Sequence, residues 1–177
     1  FQGEVHVFAP AFKDEDMEEL LEITDHIVFN SERQLRKHGA RCRETGVSVG
    51  LRLNPQCSTQ GDHALYDPCA PGSRFGVTLD KIPSDLLELV DGLHFHTLCE
   101  QGADDLETTL KAVEAQFGPY LHQVKWLNMG GGHHITREDY DVDLLISEIK
   151  RIRNTYNLEI YIEPGEAIAL NAGYLAT

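Results

Sequence analysis

Apolar residues along the chain follow two alternating patterns. Short runs rich in β-branched and aromatic residues, "EVHVFA" (4–9), "HIVFN" (26–30), "VSVGLRL" (47–53), "GLHFH" (92–96), "VKWLNM" (124–129) and "EIYIE" (159–163), predict six strands. Between them the apolar positions recur three or four apart, as on a helix face. Asp14 precedes the stripe Met17, Leu20 and Leu21, Ser31 precedes "ERQLRKHG", and Pro83 with Ser84 precedes "DLLELV", each a helix-start signal. Leu106, Leu110, Val113 and Phe117 share one face of a helix predicted from about Ala103 to Phe117, with Gly118 as its stop. Another helix is predicted from Thr136, where Thr136 and Asp139 form an approximate capping box, through Leu144, Leu145, Ile149 and Ile152.

Strands alternating with helices specify an α/β fold with a parallel sheet. Six βα steps without a closing pair leave open sheet edges, which a barrel removes, so the expected architecture is a TIM (β/α)8-type barrel with about six of its eight strands in this chain. The stretch 54–76, "NPQCSTQGDHALYDPCAPGSRFG", is rich in turn formers and longer than a routine connection, as functional or mobile loops tend to be. No repeat or low-complexity tract breaks the chain, and residues 1–177 read as one domain.

Composition narrows the function classes. Lys+Arg 15 against Asp+Glu 29 gives a net charge of −14, which repels a polyphosphate and excludes nucleic acid as the expected partner. Cys42, Cys57, Cys69 and Cys99 are too irregularly spaced for a zinc site and read as free thiols in a reducing compartment. No apolar run reaches the length of a membrane span, and "FQGEVHVFAP" lacks the features of a signal peptide, so the expected location is the cytoplasm.

Polar residues gather at the predicted strand ends, where parallel α/β folds bind ligands. His94 and His96 alternate along one strand and share a face; Gly130, Gly131 and Gly132 follow the next; Glu163, Pro164 and Gly165 close the last; Arg52 lies near the end of "VSVGLRLNP". Three glycines ahead of a helix expose successive N–H groups and suit a phosphate, although a tight turn explains them too. The histidines could be hydrogen-bonded core residues, zinc ligands together with His133 or His134, or a flat platform for an aromatic ring. Glu163 could be a metal ligand, a general base, the partner of a protonated ring nitrogen, or half of a structural ion pair. A phosphate cradle, a flat imidazole and a carboxylate at neighbouring strand ends together describe a pyridoxal 5'-phosphate (PLP) site.

"GLHFHTLCEQ", "LNMGGGHHI" and "IEPGEAI", in that order, resemble the barrel of the fold-type III, alanine racemase-like PLP decarboxylases. "VFAPAF", "VFNSERQL", "LRLNP" and "SRFGV" carry a closer resemblance to the branch acting on carboxynorspermidine and carboxyspermidine. The resemblance implies PLP rather than a metal as cofactor, with His96 against the ring and Gly130, Gly131, Gly132 and Gly165 at the phosphate. It places Glu163 at the ring nitrogen, and Arg52 and Arg74 in support. It also implies decarboxylation to norspermidine or spermidine in polyamine biosynthesis, a small cationic substrate, and a homodimer of the longer protein. Glu166 stands where many relatives carry arginine, and with Glu100 it is the expected binder of a cationic substrate. Cys99 replaces a phosphate-binding serine. The lysine that joins the cofactor in this family lies on an early strand, and Lys13 is not in that context, so the lysine-bearing strands and the C-terminal β-domain are expected outside this chain. Three other readings use the same residues: a diaminopimelate or ornithine decarboxylase or racemase, a non-catalytic PLP-binding protein, and a barrel metallohydrolase built on His94 and His96.

Overall fold

In the computed structural model, which describes residues 2–61, 64–170 and 172–174, all six predicted strands form, each shorter than its apolar run. β1 (His6–Ala9), β2 (His26–Phe29), β3 (Ser48–Arg52), β4 (Gly92–His94), β5 (Trp126–Asn128) and β6 (Glu159–Tyr161) pair in parallel and in sequence order. The register runs His6, His26 and Ser48 across one level, and Arg52, His94, Asn128 and Tyr161 across another. Among the described residues β1 and β6 are the sheet's two edges.

Alternation along each strand sorts residues between two faces. Ile27, Phe29, Val49, Leu51, Leu93, Phe95, Leu127 and Met129 join the helices in one apolar core. The concave side takes Trp126, whose indole N–H donates to Ser48 Oγ at 2.9 Å. A Cβ on Gly50 or Gly92 would overlap that indole, so both glycines are needed to let the ring fill the interior.

The helices pack outside the sheet. α1 (Met17–Ile23) buries Met17 and Leu21; α2 (Glu32–Glu44) is capped by Ser31, whose side chain accepts from Gln34 N–H, and buries Leu35 and Cys42. α3 (Leu86–Leu89) is a single turn. α4 (Ala103–Leu121) buries the predicted stripe but runs through Gly118 and Pro119, beyond the expected stop. Gly118 packs near the Tyr156 hydroxyl, and Pro119, close to the helix end, removes only one late N–H. α5 (Val142–Tyr156) starts six residues later than Thr136: Asp141 is the cap and accepts from Leu144 N–H at 2.8 Å. Residues 135–139 instead form turns that bring Tyr140 into the core. α6 (Gly165–Ala169) follows the last strand. No helix among the described residues is long and apolar enough to cross a membrane.

Candidate active site

The ends of β3 to β6 bring together most of the residues singled out in the sequence. Glu163 follows β6, and its N–H donates to Gly130 O at 2.8 Å, so the last strand end and the glycine turn touch. Its carboxylate receives Asn128 Nδ2 at 2.9 Å, and Asn128 Oδ1 accepts from Gly130 N–H at 2.8 Å. One asparagine therefore fixes both the acid and the turn. Asn128 carried a sequence signal of its own, a polar residue at the end of an apolar strand.

His94 and His96 both face Glu163, as the alternation predicts. His94 Nε2 lies 3.5 Å from Oε1 and His96 Nδ1 3.8 Å from Oε2. His94 is wholly buried, neither of its ring nitrogens has a hydrogen-bond partner among the described residues, and burial lowers its pKa. Burial alone would raise the carboxyl pKa of Glu163, but His94, His96 and Asn128 outweigh it and hold the acid below the ordinary range. The group is a carboxylate at neutral pH. His96 is half-buried, and its Nδ1 accepts from Gly131 N–H at 3.2 Å, which fixes the plane of the ring.

The glycine turn differs from the sequence expectation. No helix follows it directly, since α5 begins only at Val142, and the N–H groups of Gly130 and Gly131 are already used. The glycines permit close backbone packing: a Cβ on Gly130 would lie 2.8 Å from His96 Cα, and one on Gly131 would lie 2.5 Å from Glu163 O. Gly130 and Gly132 have positive φ, 71° and 82°, which also favours glycine. Gly132 lines the cavity described below, and its N–H has no acceptor among the described residues. His133, buried beneath the turn, bonds through Nε2 to Gly130 O at 3.1 Å.

Arg52 is 4% exposed and donates from Nη2 to His96 O at 2.9 Å. Its guanidinium carbon lies 4.9 Å from the Phe8 ring centroid and 4.8 Å from that of Phe75. Burial lowers its pKa to about 10, so it stays charged at neutral pH. Phe8 and Phe75 are further residues that spacing alone did not reveal.

A cavity of about 460 Å³ opens here, lined among others by Arg52, His96, Gly132, Cys99, Glu100 and Glu166. Tyr66, Pro68 and Phe75 from the long loop form its outer wall. The bridge of Leu53 to Val77 and the bond from Asn54 Nδ2 to Phe75 O, 2.9 Å, close that loop at its base; its residues 62 and 63 lie outside the described set. Glu166 is paired with His134 Nε2 at 2.7 Å, and Glu100 is exposed with φ 54°. Gly165 begins α6 outside the cavity lining, Arg74 offers its carbonyl to Asn30 Nδ2 at 2.8 Å, and Lys13 lies 3.5 Å from Glu15.

This geometry can hold a flat heterocycle with an anionic tail. At the cavity wall it supplies an oriented imidazole, a buried guanidinium and a glycine N–H without an acceptor among the described residues, and beside His96, outside the lining itself, the Glu163 carboxylate suited to a cationic ring nitrogen. The residues fit PLP.

No protein-family model matches the chain. It is 41% identical over 172 residues to the carboxynorspermidine/carboxyspermidine decarboxylase of Campylobacter jejuni subsp. jejuni, covering 97% of this chain and 44% of that protein. The crystal structure of carboxynorspermidine decarboxylase from Campylobacter jejuni, complexed with norspermidine, superposes with a TM-score of 0.84 at 40% identity, covering 93% of this chain and 41% of that one. Nearly the whole chain is thus similar to part of the carboxynorspermidine/carboxyspermidine decarboxylases. A carboxyaminopropylagmatine decarboxylase from Synechocystis sp. is also 40% identical, over 99% of this chain and 45% of that protein. The chain thus spans about half the length of the curated relatives it matches. SrLDC, whose crystal structure is in complex with PLP and cadaverine, shares the fold with a TM-score of 0.61 at 15% identity.

Proposed function

We propose that residues 1–177 are part of the barrel of a PLP-dependent carboxy-lyase that decarboxylates carboxynorspermidine or carboxyspermidine. In this reading the lysine-bearing strands and a C-terminal β-domain lie elsewhere in a longer, homodimeric, cytoplasmic protein. The observation that carries it is the contact of three strand ends: Glu163 bonds to Gly130, Asn128 joins both, and His96 lies between them.

When bound, PLP supplies the electron sink for the bond that breaks as CO2 leaves. Glu163, kept anionic by its neighbours, holds a proton on the cofactor's ring nitrogen. His96 fixes the plane of the ring and moves no proton. Gly132 N–H and the Arg52 guanidinium, both at the cavity wall, form the anion-binding side, while Gly130 and Gly131, whose N–H groups are already bonded, shape the turn, and Gly165 stands outside the lining. Glu100 and Glu166 face the cavity and bind the cationic amine chain, which favours a polyamine precursor over an anionic side chain. The substrates named for the two relatives share a carboxylated amine, so an agmatine-derived substrate is the second candidate.

A metallohydrolase has one supporting observation, the convergence of His94, His96 and Glu163. Against it, His96 Nδ1 and Glu163 Oε1 already accept hydrogen bonds from Gly131 and Asn128. The test is decarboxylation by the full-length protein, loaded with PLP and treated with a chelator, on carboxynorspermidine, carboxyspermidine and carboxyaminopropylagmatine. Glu163→Gln is expected to lower turnover by about 100-fold, with a much smaller change in cofactor affinity. Activity that needs a metal, or a Glu163→Gln enzyme of unchanged turnover, refutes the reading.

A further inference from the structure

The side chain that aims Glu163 comes from another strand. Asn128 ends β5, is 2% exposed, and sits level with His94 and Tyr161. Its amide has one workable orientation. Gly130 N–H can only donate, so the atom facing it at 2.8 Å is Oδ1, and Nδ2 is then turned to Glu163 Oε1 at 2.9 Å. The carboxylate, which only accepts at neutral pH, agrees with that choice. Swapping the two amide atoms would set nitrogen against N–H and oxygen against carboxylate, and both bonds would be lost together.

These bonds divide the two oxygens of Glu163. Oε1 is committed to Asn128, with His94 Nε2 also near it at 3.5 Å. Oε2 accepts no hydrogen bond among the described residues, and His96 Nδ1, 3.8 Å from it, is itself the acceptor for Gly131 N–H. The Glu163 side chain is 34% exposed, so Oε2 stands ready for a donor arriving from the site. The ionisable groups acting on the acid are His94 and His96 from β4 and its end, Arg52 from β3, and His133 beneath the turn. All of them persist when Asn128 is changed, so a variant at this position isolates the amide.

We propose that Asn128 is a positioning residue for the decarboxylation: its amide N–H holds Oε1 and leaves Oε2 as the oxygen for the protonated ring nitrogen of PLP, while its carbonyl separately holds the glycine turn. The assignment rests on the PLP decarboxylase reading above. Aspartate at this position keeps an acceptor for Gly130 but replaces the donor by a second anion, and two adjacent carboxylates share one proton. The full-length holoenzyme is prepared with PLP isotopically labelled at its ring nitrogen, whose protonation is read by nitrogen NMR, and kcat is measured on carboxynorspermidine. Asn128→Asp is expected to move the ring signal toward the unprotonated form and to lower kcat about tenfold, as for a lost hydrogen bond to a charged group, with Tm close to wild type. In a Glu163→Gln background it should add little further loss, because residues acting through one contact are not additive. Asn128→Ser, uncharged and too short to reach both partners, supplies the same comparison if the aspartate variant does not fold. An unchanged ring signal and kcat in these variants, or losses that multiply with those of Glu163→Gln, overturns the proposal and leaves the decarboxylase reading standing. A wild-type protein that holds PLP with an unprotonated ring nitrogen, or whose turnover is indifferent to Glu163→Gln, overturns both.

Discussion

Burial sets the charge state of single residues at both ends of the sheet and predicts how the chain responds to acid. His26, His94 and His133 are each pushed below the ordinary imidazole value of 6.5, with burial as the largest cause. The unfolded chain therefore takes up these protons first, and the stability they contribute is full above about pH 6.5 and lost as pH falls below it. Glu163 acts in the same direction at lower pH: held below 4.5 in the folded chain, it stabilises above that value and loses its contribution as the pH drops further. Urea midpoints are expected to be level just above neutrality, to decline below about pH 6.5, and to fall again below about pH 4.5. A midpoint that rises on mild acidification contradicts this assignment. Glu163 was legible in the sequence as an acid at a strand end. Its depressed pKa was not, because that depends on Asn128 and two histidines brought in from other strands.

Helix boundaries show where local chemistry lost to packing. Asp141→Ala should cost about 1 kcal/mol of stability, since it removes the side chain that accepts from Leu144 N–H. Thr136→Ala should change the urea midpoint little, and the reverse ranking would restore the helix start expected at Thr136. The Thr136–Asp139 spacing was a valid capping signal, but turn bonds from Arg137 N–H to His134 O and from Tyr140 N–H to Arg137 O claim that segment and set Tyr140 into the core. Gly118 likewise carried a stop signal that the packed face of α4, continuing to Leu121, overrode. Strand positions were legible because parallel strands buried on both faces read as continuous apolar runs, as in "HIVF" of β2, buried throughout. The glycine turn was legible by composition alone. Its packing role became visible only once His96, Leu98 and Glu163 lay against it.

At the scale of the whole molecule, the concave side of the sheet depends on a single large ring. Gly50 and Gly92 make room for Trp126, and the indole in turn stands near His26 and Tyr161. Gly92→Ala should destabilise the chain by about 1–3 kcal/mol through overpacking, measured as a lower urea midpoint with an unchanged m-value. An alanine accepted without loss would show that the ring moves freely. The six-strand order with two edges has a wider consequence. β1 and β6 each present a row of main-chain donors and acceptors that no strand among the described residues satisfies. Such borders act as templates for other molecules. At high concentration the isolated 177-residue chain would tend toward self-association and precipitation, and strands seated along those borders would restore its solubility.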